Sequence, residues 1–217
     1  YYHPSGLTYT IANGEARVTS YNNNISTSVY ILPSYQGNPV TGMDYLTFYN
    51  NEFVKEVTIP PSITEIESST FRGCTSLETI NLSGVIDIGR MGVYGCSSLK
   101  NIDTSYIKKL SDYAFTQSFD ISANFHFVIA DDCNITHAEY AFQSANITSL
   151  TFPNTEHEVP SQFAVSCIYL SSVTFTANTT YIHTTAFGYC AALTSVEIYS
   201  GNTIVQDDAF WSSPTVI

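Results

Sequence analysis

Four cysteines are the residues whose spacing comes nearest to a chemical site. Cys74 and Cys96 are 22 residues apart, and Cys167 and Cys190 are 23 residues apart. Four thiolates about 2.3 Å from one metal form a structural zinc site. Two thiols whose Cα atoms lie about 4.4–6.8 Å apart can form a disulfide. The distances between these thiols, and so the chemistry that they can perform, depend on the structural elements in which they lie. Cys133 falls outside this spacing.

The other chemically capable residues form no recognised catalytic or metal-binding motif. The histidines make no HExxH pair, and no GxSxG elbow, phosphate loop or GxGxxG sequence follows a predicted strand. The acidic pairs Asp131-Asp132 and Asp207-Asp208 could contribute to a calcium site, but neither lies in a glycine-containing ligand loop. Exposed turns are the alternative for both pairs. We therefore predict no enzyme activity, no metal site and no cofactor.

A repeated local sequence sets the positions of the cysteines. The segment Phe71-Arg72-Gly73-Cys74 returns as Val93-Tyr94-Gly95-Cys96 and again as Phe187-Gly188-Tyr189-Cys190. The first residue of this segment, here called the marker, recurs at intervals of 23, 22, 22, 27, 22, 23 and 23 residues. The marker residues are Phe48, Phe71, Val93, Phe115, Phe142, Ala164, Phe187 and Phe210.

Each marker lies in a longer frame of apolar positions. An apolar residue precedes most markers by five positions, and a small residue such as Cys74 or Ser118 follows each marker by three. Most markers are also followed by an apolar residue six positions later, Leu77 and Ile121 among them. A short alternating run such as Val57-Thr58-Ile59 then predicts a half-buried strand. Stacked coils bury a continuous core that one coil could not bury alone.

The predicted fold is therefore a mainly β solenoid of about eight stacked coils of 22–23 residues. Stacking places Cys96 and Cys167 three coils apart, which is roughly 14 Å at about 4.8 Å per coil. This distance excludes a single zinc site for the four cysteines. We expect them to be free, buried thiols that act as small apolar residues, with a disulfide inside each pair as the less favoured alternative.

The two ends of the chain differ from the repeats. Leu7 to Ile11, Asn13-Gly14 and Glu15 to Thr19 predict a β-hairpin with a type I′ turn, which would cover the first coil. We assign residues 1–28 to this N-terminal cap and residues 29–217 to the repeat array. Val216 occupies the first apolar position of a further repeat. Residues 1–4 lack the basic and apolar regions of a signal peptide, but removal of a signal would leave the same pattern, so this does not argue for the cytoplasm.

The charge is strongly asymmetric along the chain. The formal net charge is −12, and residues 110–217 contain no Lys or Arg but ten Asp and Glu residues. This half would repel nucleic acid and anionic membranes, so neither is expected as a partner. No run approaches the roughly 18 apolar residues of a membrane span, so direct membrane insertion is not expected. The acidic surface suits a neutral or basic partner, or it only favours solubility.

The repeat resembles that of the BspA-like leucine-rich repeat family, which reads roughly L-x-x-I-x-I-P-x-x-V-x-x-I-G-x-x-A-F-x-x-C. The matching segments are Val57 to Ile66, Phe71 to Cys74, Ile88-Gly89 and Ala186 to Cys190. The chain departs from the pattern in the fourth repeat, which has five extra residues, and around residues 153–164. The resemblance implies a leucine-rich repeat solenoid that is secreted or displayed at the surface of a host-associated microbe. It also implies adhesion to host matrix proteins or to other cells.

We expect a monomeric binding module for a host or cell-surface protein or a glycan, located outside the cell or at its surface. The alternative is a structural spacer that projects another domain without binding anything itself. A curved solenoid presents the outward residues of its strands as one extended column. We predict that a ligand would contact this column, whose members are Thr58, Asn81, Asp103, Val128, Thr151, Thr174 and Glu197.

Tyrosines near the N-terminus offer a second possible surface. Six tyrosines lie close together in the sequence and mostly outside the repeat frame: Tyr9, Tyr21, Tyr30, Tyr35, Tyr45 and Tyr49. Exposed aromatic residues are enriched at protein interfaces, so these could form a binding patch. Packing within the cap is the alternative interpretation.

Overall fold

The computed structural model describes residues 6–22, 26–152, 157–176 and 178–214, and it is a mainly β solenoid of about eight coils. The predicted fold is thus confirmed. The described ranges contain 18 short strands and one 3-10 turn, and no helix there is long and apolar enough to cross a membrane. Residues 1–4 and Val216, which figure in the expectations for the chain ends, lie outside these ranges.

Parallel strands from successive coils form one side of the solenoid, which we call the strand face. The alternating residues predicted this side, because β-branched and aromatic side chains pack well on a half-buried pleated surface. The strand face consists of two separate sheets. The first contains β3 (Ser28–Tyr30), β6 (Glu56–Thr58), β8 (Thr79–Asn81) and β10 (Asn101–Ile102). The second contains β12 (Phe125–Val128), β13 (Ile147–Phe152), β15 (Ser172–Phe175) and β17 (Ser195–Ile198).

A second side carries shorter parallel strands, which begin near the apolar residue five positions before each marker. These strands also form two sheets. The first contains β7 (Glu65–Ile66), β9 (Asp87–Ile88) and β11 (Lys109–Leu110). The second contains β14 (His157–Val159), β16 (Thr179–Ile182) and β18 (Ile204–Val205).

The third side, which we call the turn side, is built around the markers. In seven of the eight markers the N–H donates to a carbonyl of the next coil, from Phe48 to Thr70 (2.9 Å) through Phe187 to Ala209 (2.8 Å). Residues two positions from the marker have positive φ, including non-glycine residues such as Leu46 (62°) and Tyr189 (58°). At Gly73, whose φ is 77°, a Cβ would lie 2.2 Å from Oδ1 of Asn50, so a larger residue there would require the Asn50 side chain to move.

The markers and their neighbours fill the core. Phe71, Phe115, Phe142 and Phe187 are completely buried, and the rings of Phe115 and Phe142 stack with centroids 5.6 Å apart. The two candidates near the sixth marker, Phe163 and Ala164, are both buried. The predicted inward position is therefore confirmed for the markers from Phe48 to Phe187, whereas Phe210 in the last described coil is partly buried.

One predicted core position is wrong. Ile121, assigned inward by its spacing from Phe115, is 54% exposed and lies in the 3-10 turn Ile121–Ala123. Phe119 is buried in its place, with a φ of 75°. Its ring stacks on Phe125 at a centroid distance of 4.4 Å. The extra residues of this coil allow the larger aromatic side chain to reach the core, where it buries more apolar area than isoleucine would.

The N-terminal hairpin is confirmed. β1 (Leu7–Ala12) pairs antiparallel with β2 (Glu15–Tyr21), and Asn13 and Gly14 have φ values of 53° and 81°. Both central residues therefore have the positive φ that a type I′ turn requires. β2 pairs in turn with β5 (Asn38–Met43), which also pairs with β4 (Ser34–Tyr35). The boundary between residues 28 and 29 stays a prediction.

The cysteine position forms a ladder of buried donors. All five cysteines are free, and Cys74, Cys96, Cys167 and Cys190 are buried as predicted. Each of these four thiols also donates to a carbonyl oxygen of the preceding coil, for example Cys167 Sγ to Phe142 at 2.9 Å. The Ser118 hydroxyl makes the equivalent bond to the carbonyl of Val93 at 2.5 Å. At these five coils the position therefore combines a small side chain with a hydrogen-bond donor.

Candidate functional site

The predicted binding column is present on the strand face, but it is divided. Thr58 pairs in register with Asn81 in the first sheet, and Asp103 follows the end of β10. In the second sheet the register continues through Val128, Thr151, Thr174 and Glu197. Stacking thus places these side chains in two rows, one on each sheet, and both rows end at the break between the two sheets.

Two members of the column bind their own backbone. Asn81 Oδ1 accepts the N–H of Ser83 at 2.8 Å, and Asp103 Oδ1 accepts the N–H of Ser105 at 3.0 Å. The Ser105 hydroxyl also donates to Asp103, and these bonds hold the pKa of Asp103 below its usual value. Both residues therefore close the turn that follows their strand, with a side-chain oxygen directed to the backbone. Asp103 stays ionised and exposed.

The last member of the column also has a local partner. The Tyr199 hydroxyl donates to the Glu197 carboxylate at 2.9 Å, and this bond raises the pKa of Tyr199. A hydrogen bond between two exposed residues is easily exchanged for one to a ligand or to water. Glu197 is thus accessible to a ligand, but its bond to Tyr199 is not itself evidence of a binding site.

The break between the sheets is the main feature of the strand face. β10 and β12 belong to consecutive coils, yet they are not paired within the described residues. The longer fourth repeat lies between them and includes the 3-10 turn, which Asp120 caps by accepting the N–H of Ser122 at 2.8 Å. These extra residues hold the two strands apart. Each strand is consequently the last of its sheet and has one edge without a neighbouring strand.

A groove of about 690 Å³ opens at this break. Asp103 lines it from the first sheet, and Val128 and Thr151 line it from the second, so three residues of the predicted column converge here. The partly buried Phe125 contributes aromatic surface. The volume lies within the range of about 300–1,000 Å³ that is usual for ligand sites. The repeat frame did not predict this groove, although the 27-residue spacing was the signal that could have indicated it.

The groove is acidic. Asp103 and Asp131 line it, and no Lys or Arg is among its lining residues. His126 also lines the groove, where its Nδ1 is hydrogen bonded to the Ser149 hydroxyl. With Asp103 and Asp131 and no Lys or Arg in its lining, the site favours a cationic or neutral group over an anion.

Potential metal ligands are not clustered in the described ranges. These ranges contain no cluster of three His, Cys, Asp or Glu side chains that could hold a metal ion. Of the acidic pair at 131–132, Asp132 binds Lys108 at 2.5 Å, which lowers the pKa of its carboxyl group. Cys133, which the sequence left unassigned, is partly buried against the core, and burial raises its pKa to about 12. A thiol with such a pKa is a poor nucleophile at neutral pH.

The tyrosines near the N-terminus divide between packing and exposure. Tyr9 and Tyr21 are buried, and Tyr9 stacks on Tyr35 with ring centroids 4.4 Å apart. Tyr30 and Tyr49 are exposed. Tyr30 extends the first row of the column, because it pairs in register with Thr58.

One solved structure supports the fold. A leucine-rich repeat protein of T. pallidum superimposes with a TM-score of 0.65 at 18% identity, covering 92% of this chain and 83% of that one. A leucine-rich cell surface protein of Faecalibacterium prausnitzii A2-165 gives a TM-score of 0.46 at 18% identity, covering 97% of this chain and 85% of that one. These identities are too low to transfer a function. A search of curated proteins found no significant match.

The repeat sequence identifies the family of the chain. The model of the BspA type leucine rich repeat region matches residues 41–130 and 116–217 in six copies. These ranges include most of the coils described above, together with the longer fourth repeat. By its repeat sequence and by its solenoid architecture, the chain belongs to the BspA-type leucine-rich repeat family.

Proposed function

We propose that this repeat array is a recognition module at the cell surface or outside the cell, and that it binds an extended, basic segment of a protein partner. The observation that carries the proposal is the groove at the sheet break, where Asp103, Val128 and Thr151 of the two rows converge. BspA-type repeats are typical of surface proteins, which supports the location. Leucine-rich repeat scaffolds are generally non-enzymatic, which favours binding over catalysis.

The strand edges favour an extended peptide as the ligand. β10 and β12 each end a sheet, so each has backbone N–H and C=O groups directed away from its paired neighbour. An extended peptide can add to such an edge, with main-chain hydrogen bonds supplying affinity and pockets for alternate side chains supplying specificity. The groove lies beside both edges and offers such a pocket.

The charge of the site favours a basic segment. Asp103 is ionised at neutral pH and exposed, and no Lys or Arg lines the groove. A Lys or Arg side chain of the partner could reach Asp103 while its aliphatic part lies against Val128 or Phe125. The net charge of −12 would also attract a basic partner over distances of about a Debye length.

A phage-displayed library of random linear peptides tests this proposal. We expect the protein to enrich basic, extended sequences. Synthetic peptides from this selection should bind Asp103→Asn and Thr151→Lys more weakly by about tenfold, a loss typical of a residue that contributes to an interface. Asp103→Asn retains an oxygen for the Ser105 N–H, so it removes the charge without removing the turn.

The matched control is Thr58→Lys, which makes the same substitution in the same column but outside the groove. It should leave affinity within about twofold. Equal losses at Thr58 and Thr151 would show that binding depends only on net charge. Enrichment on a glycan array with none from the peptide library would replace the peptide by a glycan. No binding in either screen would favour the spacer role.

We further propose that the array acts as a monomer. The free strand edges are short, and β10 comprises only Asn101–Ile102. Short edge strands are one of the ways in which proteins limit edge-to-edge association.

A further inference from the structure

The turn side carries a set of tyrosine and arginine side chains that neither the core nor the groove uses. We call it the Tyr-Arg patch, and its members are Tyr49, Arg72, Arg90, Tyr94, Tyr113 and Tyr140. Three of them follow their markers by one position (Tyr49, Arg72 and Tyr94), and the other three precede their markers by two or three positions (Arg90, Tyr113 and Tyr140). The turns that carry them belong to consecutive coils and are joined by the hydrogen bonds of the marker N–H groups. Tyr49 is 41% exposed and Arg90 is exposed, so the patch is accessible.

The guanidinium groups of the patch lie against aromatic rings. Cζ of Arg72 is 5.7 Å from the ring centroid of Tyr49 and 5.3 Å from that of Tyr94, in the coils on either side. Cζ of Arg90 is 5.6 Å from the ring centroid of Tyr113. The Tyr113 ring stacks on Tyr140 at 4.8 Å and an interplanar angle of 3°. Such contacts restrict the guanidinium planes without using their N–H groups.

These two arginines differ from the other cations of the chain. The other five Lys and Arg residues each form an ion pair, as in Arg17 with Asp44 at 2.8 Å and Lys109 with Asp87 at 2.5 Å. Within the described ranges, Arg72 and Arg90 have no carboxylate within 4.0 Å and no side-chain hydrogen bond. Their donors therefore stay available in a protein that otherwise has a large excess of negative charge.

We infer that the Tyr-Arg patch is a docking surface for an acidic segment of a protein partner. A guanidinium presents its N–H donors in a planar fork that matches a carboxylate, and the aromatic contacts hold this fork in place. Tyr and Arg are also the residues that most often dominate protein interfaces. Elsewhere an acidic partner meets mainly carboxylates or cations that are already paired, so the patch is the surface that can accept it.

This inference is independent of the proposed function. The groove lies on the strand face and is acidic, whereas the patch lies on the turn side and presents two cations. The two surfaces therefore select partner segments of opposite charge. Loss of one activity would leave the other measurable.

Fluorescence anisotropy with a labelled oligoglutamate peptide tests the inference. At low ionic strength we expect saturable binding, and we expect an oligolysine of the same length to bind independently of the patch. Arg72→Lys and Arg90→Lys keep the charge but remove the planar fork, and each should weaken oligoglutamate binding by about tenfold. Lys55→Gln removes a cation that is already paired with Glu78, and it should change affinity by less than about twofold.

Thermal unfolding of each variant separates a local loss from misfolding, because these side chains lie outside the core. Three results would overturn the inference. The oligoglutamate could fail to bind at low ionic strength, or it could bind Arg72→Lys and Arg90→Lys as well as the native protein. A heparin oligosaccharide could bind through the arginines while the oligoglutamate does not, which would assign the patch to a sulfated glycan.

Discussion

At the scale of single residues, the four cysteines of the repeat show how a position can combine packing and hydrogen bonding. Their types and spacing indicated small buried groups, and the structure adds a directed S–H bond to the preceding coil. Serine does the same at Ser118 and Ser213. The exchange of Cys for Ser follows from this geometry, because both place a donor near the same carbonyl. Alanine at Ala145 fills the position without a donor.

Burial also gives these thiols a predictable dependence on pH. Burial raises the pKa of Cys96 and Cys167, and that of Cys190 to about 12, from an ordinary value of 9.0. The unfolded chain therefore releases these protons at a lower pH than the folded chain does. Their contribution to stability is complete below about pH 9 and is lost as the pH rises toward 12.

We predict that the free energy of unfolding falls between these pH values and that Cys190→Ser makes the fall shallower. Urea unfolding at several pH values measures both. Ellman's reagent should label the native protein slowly at pH 8, since little thiolate is present. A slope that Cys190→Ser leaves unchanged would assign the alkaline loss to other groups, such as the tyrosines.

At the scale of elements, the fourth repeat joins the two halves of the strand face through aromatic packing. Phe115 contacts the rings of Phe119, Phe127 and Phe142, with centroid distances of 5.5, 5.5 and 5.6 Å. Phe119 in turn stacks on Phe125, which lines the groove. The packing beneath the break thus supports the groove although no strand pairing crosses it.

We predict that Phe115→Ala lowers the free energy of unfolding by about 3–5 kcal/mol, because it empties a fully buried site that has little room to collapse. Phe53→Ala is the matched control, since Phe53 is 58% exposed and its loss should cost about 0.5 kcal/mol or less. Urea unfolding monitored by circular dichroism compares the two. Similar values for both variants would contradict the placement of Phe115 in the core.

At the scale of the whole molecule, the turn side provides continuity that the strand face lacks. The marker N–H groups of Val93, Phe115 and Phe142 donate to the following coils at 3.0, 2.7 and 2.9 Å, without interruption at the fourth repeat. On the strand face and on the second side, by contrast, the strands are divided into two separate sheets. The solenoid therefore accommodates extra residues on one side of a coil while the stacking continues on another.

The charge distribution also acts on the whole molecule. Residues 110–217 contain ten carboxylates and no Lys or Arg, so the folded second half repels itself. We predict that added sodium chloride raises the midpoint of thermal unfolding, because it screens this repulsion. The triple variant Glu197→Gln, Asp207→Asn and Asp208→Asn should show a smaller increase, and a charge-neutral change such as Thr174→Ser should show the full increase. A midpoint that falls with salt would mean that the ion pairs dominate.

The sequence by itself determined the period, the marker positions, the hairpin and the alternation of the strands. The period, the markers and the strands follow from local chemistry that repeats, namely apolar side chains at fixed intervals and small residues such as Cys74 and Ser118. The hairpin follows from Asn13-Gly14 at a tight turn. It also predicted which side chains would form the outward column, because alternate residues of a strand point in opposite directions. The positive φ values at residues such as Leu46 left no sequence signal, since glycine occupies few of these positions.

Only the tertiary structure decided where the candidate binding surfaces form. The spacing assigned Ile121 to the core, whereas competition for the same space buried Phe119 and exposed Ile121. The groove depends on how far the extra residues hold β10 and β12 apart, and the Tyr-Arg patch depends on which turns become neighbours after stacking. A repeat fixes what each coil contains, but surfaces between coils arise from the packing of residues more than twenty positions apart in the chain.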